Sequence, residues 1–115
     1  MSLSIDELYN MQKALYEHYG EAYHWDAYIP DNAKLYWLWM LGEAGEVIDV
    51  FKKNSQEDLL RSDSLREHMV EEFADTMMFF INTMACMQIT PEEFSAAYTK
   101  KYEYNMHRWE KKANT

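Results

Sequence analysis

Three glycines and two prolines in 115 residues leave this chain few places to turn. Its apolar residues recur at helical spacing, without the alternation of a half-buried strand, and no internal repeat or low-complexity run interrupts them. Helices therefore dominate. With 48% hydrophobic and 16% aromatic residues the chain can close one core, and a single domain over residues 1–115 is expected.

The helix ends are written in capping residues. Ser4 and Glu7 form a capping box for a first helix through Leu8, Met11, Leu15 and Tyr19, closing near Gly20. The aromatic stretch from Glu21 to Pro30 reads as irregular. A second helix starts near Asp31 and Asn32 and ends at Lys52 and Lys53, whose charges suit its C-terminal end, with Asn54 as the stop. A polar linker is expected from Asn54 to about Asp63. Ser64 and Glu67 then cap a third helix that is apolar nearly all round through Met77, Phe80, Ile81 and Met84, which makes it the central one. Thr90, Pro91 and Glu93 open a fourth, running to about Trp109. The expected architecture is an all-α four-helix bundle, completed by oligomerisation because so small a core is limited.

Twenty acidic against 11 basic residues give a net charge of -9, which disfavours a polynucleotide partner. Cys86 stands alone, so neither an intrachain disulfide nor a thiolate metal cage is available, which suits a reducing compartment. No stretch is apolar enough to span a membrane, and the N-terminus, with Asp6 and Glu7, lacks a basic region leading into an apolar run. A cytoplasmic protein without a membrane partner is expected.

The acids are not evenly spread. Glu43 and Glu46 share one face of the second helix, with Trp39 a turn before them and Val50 a turn after. Gly42 and Gly45 interleave with them; each costs about 1 kcal/mol against alanine in a helix interior, and close approach of a neighbouring helix would offset it. Glu72 and Asp75 repeat the spacing on the third helix, and Phe79 and Asn82 continue that stripe into its most apolar part. A chain with 20 acids produces such pairs by chance. Their mid-helix placement among aromatics is what sets these apart. Like charges one turn apart repel, and a hard divalent cation such as magnesium, which favours carboxylate oxygens and is completed by waters and phosphates, removes the conflict. Asp49 is subordinate in this reading, Glu71 is a solvated neighbour of Glu72, and His68 is a helix-surface residue.

The string Gly42-Glu43-Ala44-Gly45-Glu46-Val47, followed by Glu71-Glu72-Phe73-Ala74-Asp75, resembles the MazG-like nucleotide pyrophosphohydrolases, which carry ExxE and then ExxD on adjacent helices. The segment Lys101-Tyr102-Glu103-Tyr104-Asn105-Met106-His107-Arg108-Trp109 is similar to that family's closing Lys, Asn and Arg pattern. The resemblance implies that Glu43, Glu46, Glu72 and Asp75 bind magnesium, with manganese as a substitute. It implies that Lys101, Asn105 and Arg108 lie on the phosphate side, with Asn82 a further substrate-side position. It also implies a homodimer or homotetramer with sites formed partly between chains. Independently of the family, Lys101, Asn105 and Arg108 share one helix face. Lys100, Lys111 and Lys112 are read as a solvated basic tail.

The resemblance implies attack of water on the α-phosphorus of a nucleoside triphosphate, with a deoxynucleotide preferred because the compact single-domain form is similar to the deoxycytidine and deoxyuridine triphosphatases of that superfamily, releasing monophosphate and pyrophosphate. Trp39 and Phe79 share stripes with the acids and are the candidate base-contacting rings; Trp25, Trp37 and His24 are weaker ones. A di-iron carboxylate site requires glutamate with histidine three residues on from two helices, and only Glu21 with His24 offers that spacing. The alternative from another class is a non-catalytic helical dimerisation or interaction module with a Met- and aromatic-rich surface.

Overall fold

The computed structural model describes residues 1–113, leaving aside the side chains of Trp109 and Lys111–Ala113; the expectation for Lys111 and Lys112 as a solvated tail lies outside the described residues. It is all-helical among those residues: α1 Ile5–Tyr23, a 3-10 turn Pro30–Asn32, α2 Ala33–Lys53, α3 Gln56–Arg61, α4 Asp63–Cys86 and α5 Pro91–Ala113. Ser4 caps α1 as expected: its hydroxyl accepts from the Glu7 amide at 3.1 Å, and the Glu7 carboxylate accepts from the Ser4 amide at 3.1 Å. The helix outruns Gly20 by a turn and ends where His24, at φ 55°, returns its N–H to the Gly20 carbonyl. Gly20 is required here, since a Cβ would collide with the Trp25 carbonyl oxygen.

Further boundaries differ from expectation, α5 running to Ala113 rather than to about Trp109. The stretch after Asn54 contains α3 rather than only linker, because the Ser55 hydroxyl caps it by accepting from the Asp58 amide at 3.1 Å and Leu59, 2% exposed, anchors it on α4. The cap of α4 is Ser62, whose hydroxyl accepts from the Leu65 amide, and Ser64 falls inside the first turn.

The scaffold is the antiparallel pair α2 and α4, the most extensive contact in the chain. Contacts at Trp39–Phe79 and Glu46–Glu72, together with a pocket joining Lys53 to His68, fix the register. α1 crosses α4 near the far end, where Tyr9, Ile81, Met84 and Ala85 form a core joined by Phe80 and Phe94. The irregular segment before α2 is tied down through the Ala27 carbonyl. It accepts from the Tyr36 hydroxyl at 3.0 Å and Asn32 Nδ2 at 3.2 Å, with the Cys86 thiol at 3.7 Å.

α5 meets the rest of the fold near its start, where Pro91 is buried and Phe94 packs edge-on against Phe80. From Ser95 to Arg108 every residue except half-buried Asn105 is exposed. The radius of gyration, 17.6 Å, accordingly exceeds the roughly 13 Å of a compact chain this long. The expected offset for Gly42 and Gly45 is also missing from the fold: a Cβ at either would meet nothing within 4 Å, so no helix approaches there among the described residues. No described helix is long and apolar enough to cross a membrane.

Candidate metal centre

Because α2 and α4 run antiparallel with Glu46 beside Glu72, the acidic pair of α2 meets Glu72 at the middle of both helices. Glu43, Glu46 and Glu72 bring one carboxylate oxygen each into a group lying within 4.8 Å of one another. Glu72 is buried at 9% exposure, and its Oε2 has no hydrogen-bond partner. Burial, then the adjacent Glu46, pushes the Glu43 carboxyl up to about 7; Asp75 and Glu72 add to this. Contact with Glu46 and burial raise Glu72 as well, while a hydrogen bond with Glu43 and then His68, whose Nε2 is 3.9 Å from Glu72 Oε1, pull it down.

Three clustered carboxylate oxygens, two of them on groups held above the usual carboxylate range and one with an orphaned buried oxygen beside it, make a donor set that fits a hard divalent cation. Asp75, the fourth expected ligand, is exposed and stands outside this group, near enough to act on both Glu43 and Tyr16.

Toward the N-terminal end of α2 the centre gives way to aromatic rings. Trp39 meets Phe79 edge-on at 5.8 Å between centroids, and fully buried Tyr36 stacks on Phe79 at 6.3 Å. Trp39 is 44% exposed, so this wall is open on one side. Trp25 leans on Tyr36, Trp37 on Phe80, and His24 is the cap of α1.

Asn82, one turn past Phe79, is fully buried, and its Oδ1 is 2.8 Å from the Tyr28 hydroxyl, which also lies 2.9 Å from the Gln12 carbonyl. One phenolic proton serves one acceptor at a time, and Asn82 Nδ2 as placed has no partner. The Asn82 oxygen and the Gln12 carbonyl therefore share the single Tyr28 proton. The Tyr16 hydroxyl adjoins the same amide.

Toward the other end lies a pocket of about 280 Å³ lined by Glu46, Asp49, Val50, Lys53, Asn54, His68 and Glu72. Sequence reasoning gave Asp49 and His68 minor places and read Lys53 only as a charge suited to the C-terminal end of its helix. The signal was available: Glu46, Asp49, Val50 and Lys53 recur at three- and four-residue steps, and His68 precedes Glu72 by one turn.

Lys101 and Asn105 line a hollow on α5 with Tyr98, Tyr102 and Met106; Lys101 Nζ lies 5.3 Å over the Tyr104 ring, and Arg108 is exposed. Among the described residues, none of α5 lines the carboxylate group or the pocket beside it. Comparison with known proteins finds no matching family model, no matching curated protein and no matching solved structure.

Proposed function

We propose that this protein is a magnesium-dependent nucleoside triphosphate pyrophosphohydrolase of MazG-like type, converting a (deoxy)nucleoside triphosphate to monophosphate and pyrophosphate. The carrying observation is the group of Glu43, Glu46 and Glu72, with the buried Glu72 oxygen lacking any partner. These three residues would hold the ion, Asp75 standing beside them. Magnesium, or manganese in its place, supplies charge neutralisation at the phosphate oxygens.

The chain's own groups do the rest. A carboxylate of the group accepts a proton from the attacking water as its oxygen bonds to the α-phosphorus and the α–β phosphoanhydride bond breaks. Trp39 and Phe79 offer the base a flat apolar wall.

Self-association as a homodimer or homotetramer belongs to this proposal. Leu38, Leu41, Ile48 and Phe51 on α2 and Val70 and Phe73 on α4 are exposed at 44–57% in a chain whose last long helix stands away from the core. A second copy would cover that surface and supply Lys101, Asn105 and Arg108 from its α5 to an acidic centre. The same exposed surface favours the interaction-module reading, and metal dependence separates the two.

The test is pyrophosphate release from a panel of nucleoside triphosphates, with magnesium or with a chelator. Release with magnesium alone is expected, and Glu72→Ala lowers kcat by about a hundredfold or more, as loss of a charge-stabilising group does. A folded, magnesium-binding protein that cleaves no nucleotide overturns the proposal.

A further inference from the structure

The carboxylate centre lies between two unlike environments, and this gives the groove a direction. At one end stand the rings of Trp39 and Phe79. At the other, the pocket beside Glu46 and Glu72 has Asp49, Lys53 and His68 on its walls. At about 280 Å³ it is just below the roughly 300–1,000 Å³ of whole small-molecule sites, so it takes one end of a ligand and not all of it.

His68 is already engaged with Glu72 at 3.9 Å. Lys53, in the last turn of α2, forms no ion pair among the described residues although it shares the pocket with three acids. The same three acids exclude a bare anion. A phosphate enters only together with its cation, and the ammonium of Lys53 then meets the oxygens that the cation leaves uncovered.

We propose that this pocket holds the two phosphates that leave as magnesium pyrophosphate, with Lys53 as their protein-side cation, so that the nucleotide lies with its base toward Trp39 and its terminal phosphates toward the α2–α3 junction. This rests on the function proposed above and deepens it. It assigns the diphosphate end to a lysine of the same chain, whatever α5 of a second copy adds.

Calorimetric titration of magnesium pyrophosphate into the parent protein, Lys53→Gln and Lys52→Gln tests it without relying on turnover. Lys52 is exposed next door but does not line the pocket, so it controls for general charge. Losing one charge-assisted contact should weaken pyrophosphate binding about tenfold in Lys53→Gln, with Lys52→Gln within about twofold of the parent. A magnesium and nucleoside monophosphate titration should be within about twofold in all three proteins, because the α-phosphate and base lie on the other side of the centre. Unfolding curves of the two variants, both at exposed positions, confirm that each is folded.

The proposal is overturned if the parent does not bind magnesium pyrophosphate, if Lys53→Gln binds it as the parent does, if both lysine variants lose equally, or if monophosphate binding is the one weakened. Binding lost in Lys53→Gln beside an absence of hydrolysis in the parent refutes the hydrolase function and leaves the diphosphate pocket standing.

Discussion

Replacing Tyr28 by phenylalanine removes one oxygen atom from the contact between α1, the aromatic segment and α4, and the cost follows from which partners are left. The Gln12 carbonyl lies within α1 and keeps its helical acceptor role toward the Tyr16 amide, so its loss is small. Asn82 is fully buried with no water-facing side, and without the phenol its amide loses the partner held at 2.8 Å. An unsatisfied buried polar group costs about 1–3 kcal/mol, and with the second acceptor already served the expectation is about 1.5 kcal/mol. In a domain of this size that lowers Tm by about 6 °C. The assay is urea unfolding followed by circular dichroism, with Tyr19→Phe, at an exposed ring, as the control. In an Asn82→Leu background the same change should cost under about 0.5 kcal/mol, since no amide remains to be orphaned. Equal costs in both backgrounds, or a single-variant cost under about 0.5 kcal/mol, would refute the network.

The remaining predictions concern the centre and the glycines. Glu43 titrates near 7 in the folded chain against 4.5 for the free group. The folded state therefore binds more protons than the unfolded state between these values, and metal-free stability falls as pH rises through that window. Solvent screening holds the change to on the order of 1 kcal/mol, and Glu43→Gln should flatten it while magnesium reverses it in the parent. Unfolding curves at pH 5 and pH 8 that coincide without metal would sink this. Gly20→Ala, forced against the Trp25 carbonyl, should destabilise by about 1–3 kcal/mol. Gly42→Ala, facing open space in the chain, should stabilise the isolated protomer by up to about 1 kcal/mol, and a loss of stability there, read by thermal melting, would mean the space is filled in the assembled protein.

Local signals carried much of the fold into view. The caps at Ser4 and Thr90 act as the spacing predicts, because a hydroxyl three residues before an amide needs no tertiary help. α3 was hidden because its six residues hold too few apolar positions to show a period, and Leu59 becomes an anchor only once α4 lies beneath it. The same limit divides the candidate site. Glu43 with Glu46 is visible on one helix, and the pairing of α2 with α4 decides that Glu72 joins them while Asp75 stays outside. Tyr28 and Asn82 lie 54 positions apart, and nothing local to either marks the hydroxyl that links them.

Cys86 turns the interior into something that can be timed. It is fully buried at the end of α4, its thiol raised by burial, and it faces the Ala27 carbonyl that holds the aromatic segment in place. A thiol reagent reaches it only when that segment lifts, so the rate of modification under native conditions counts those openings. With one cysteine in the chain every modified molecule reports the same event. A substitution at Tyr28 or a ligand at the carboxylate centre can then be ranked by how far it slows or speeds this single clock.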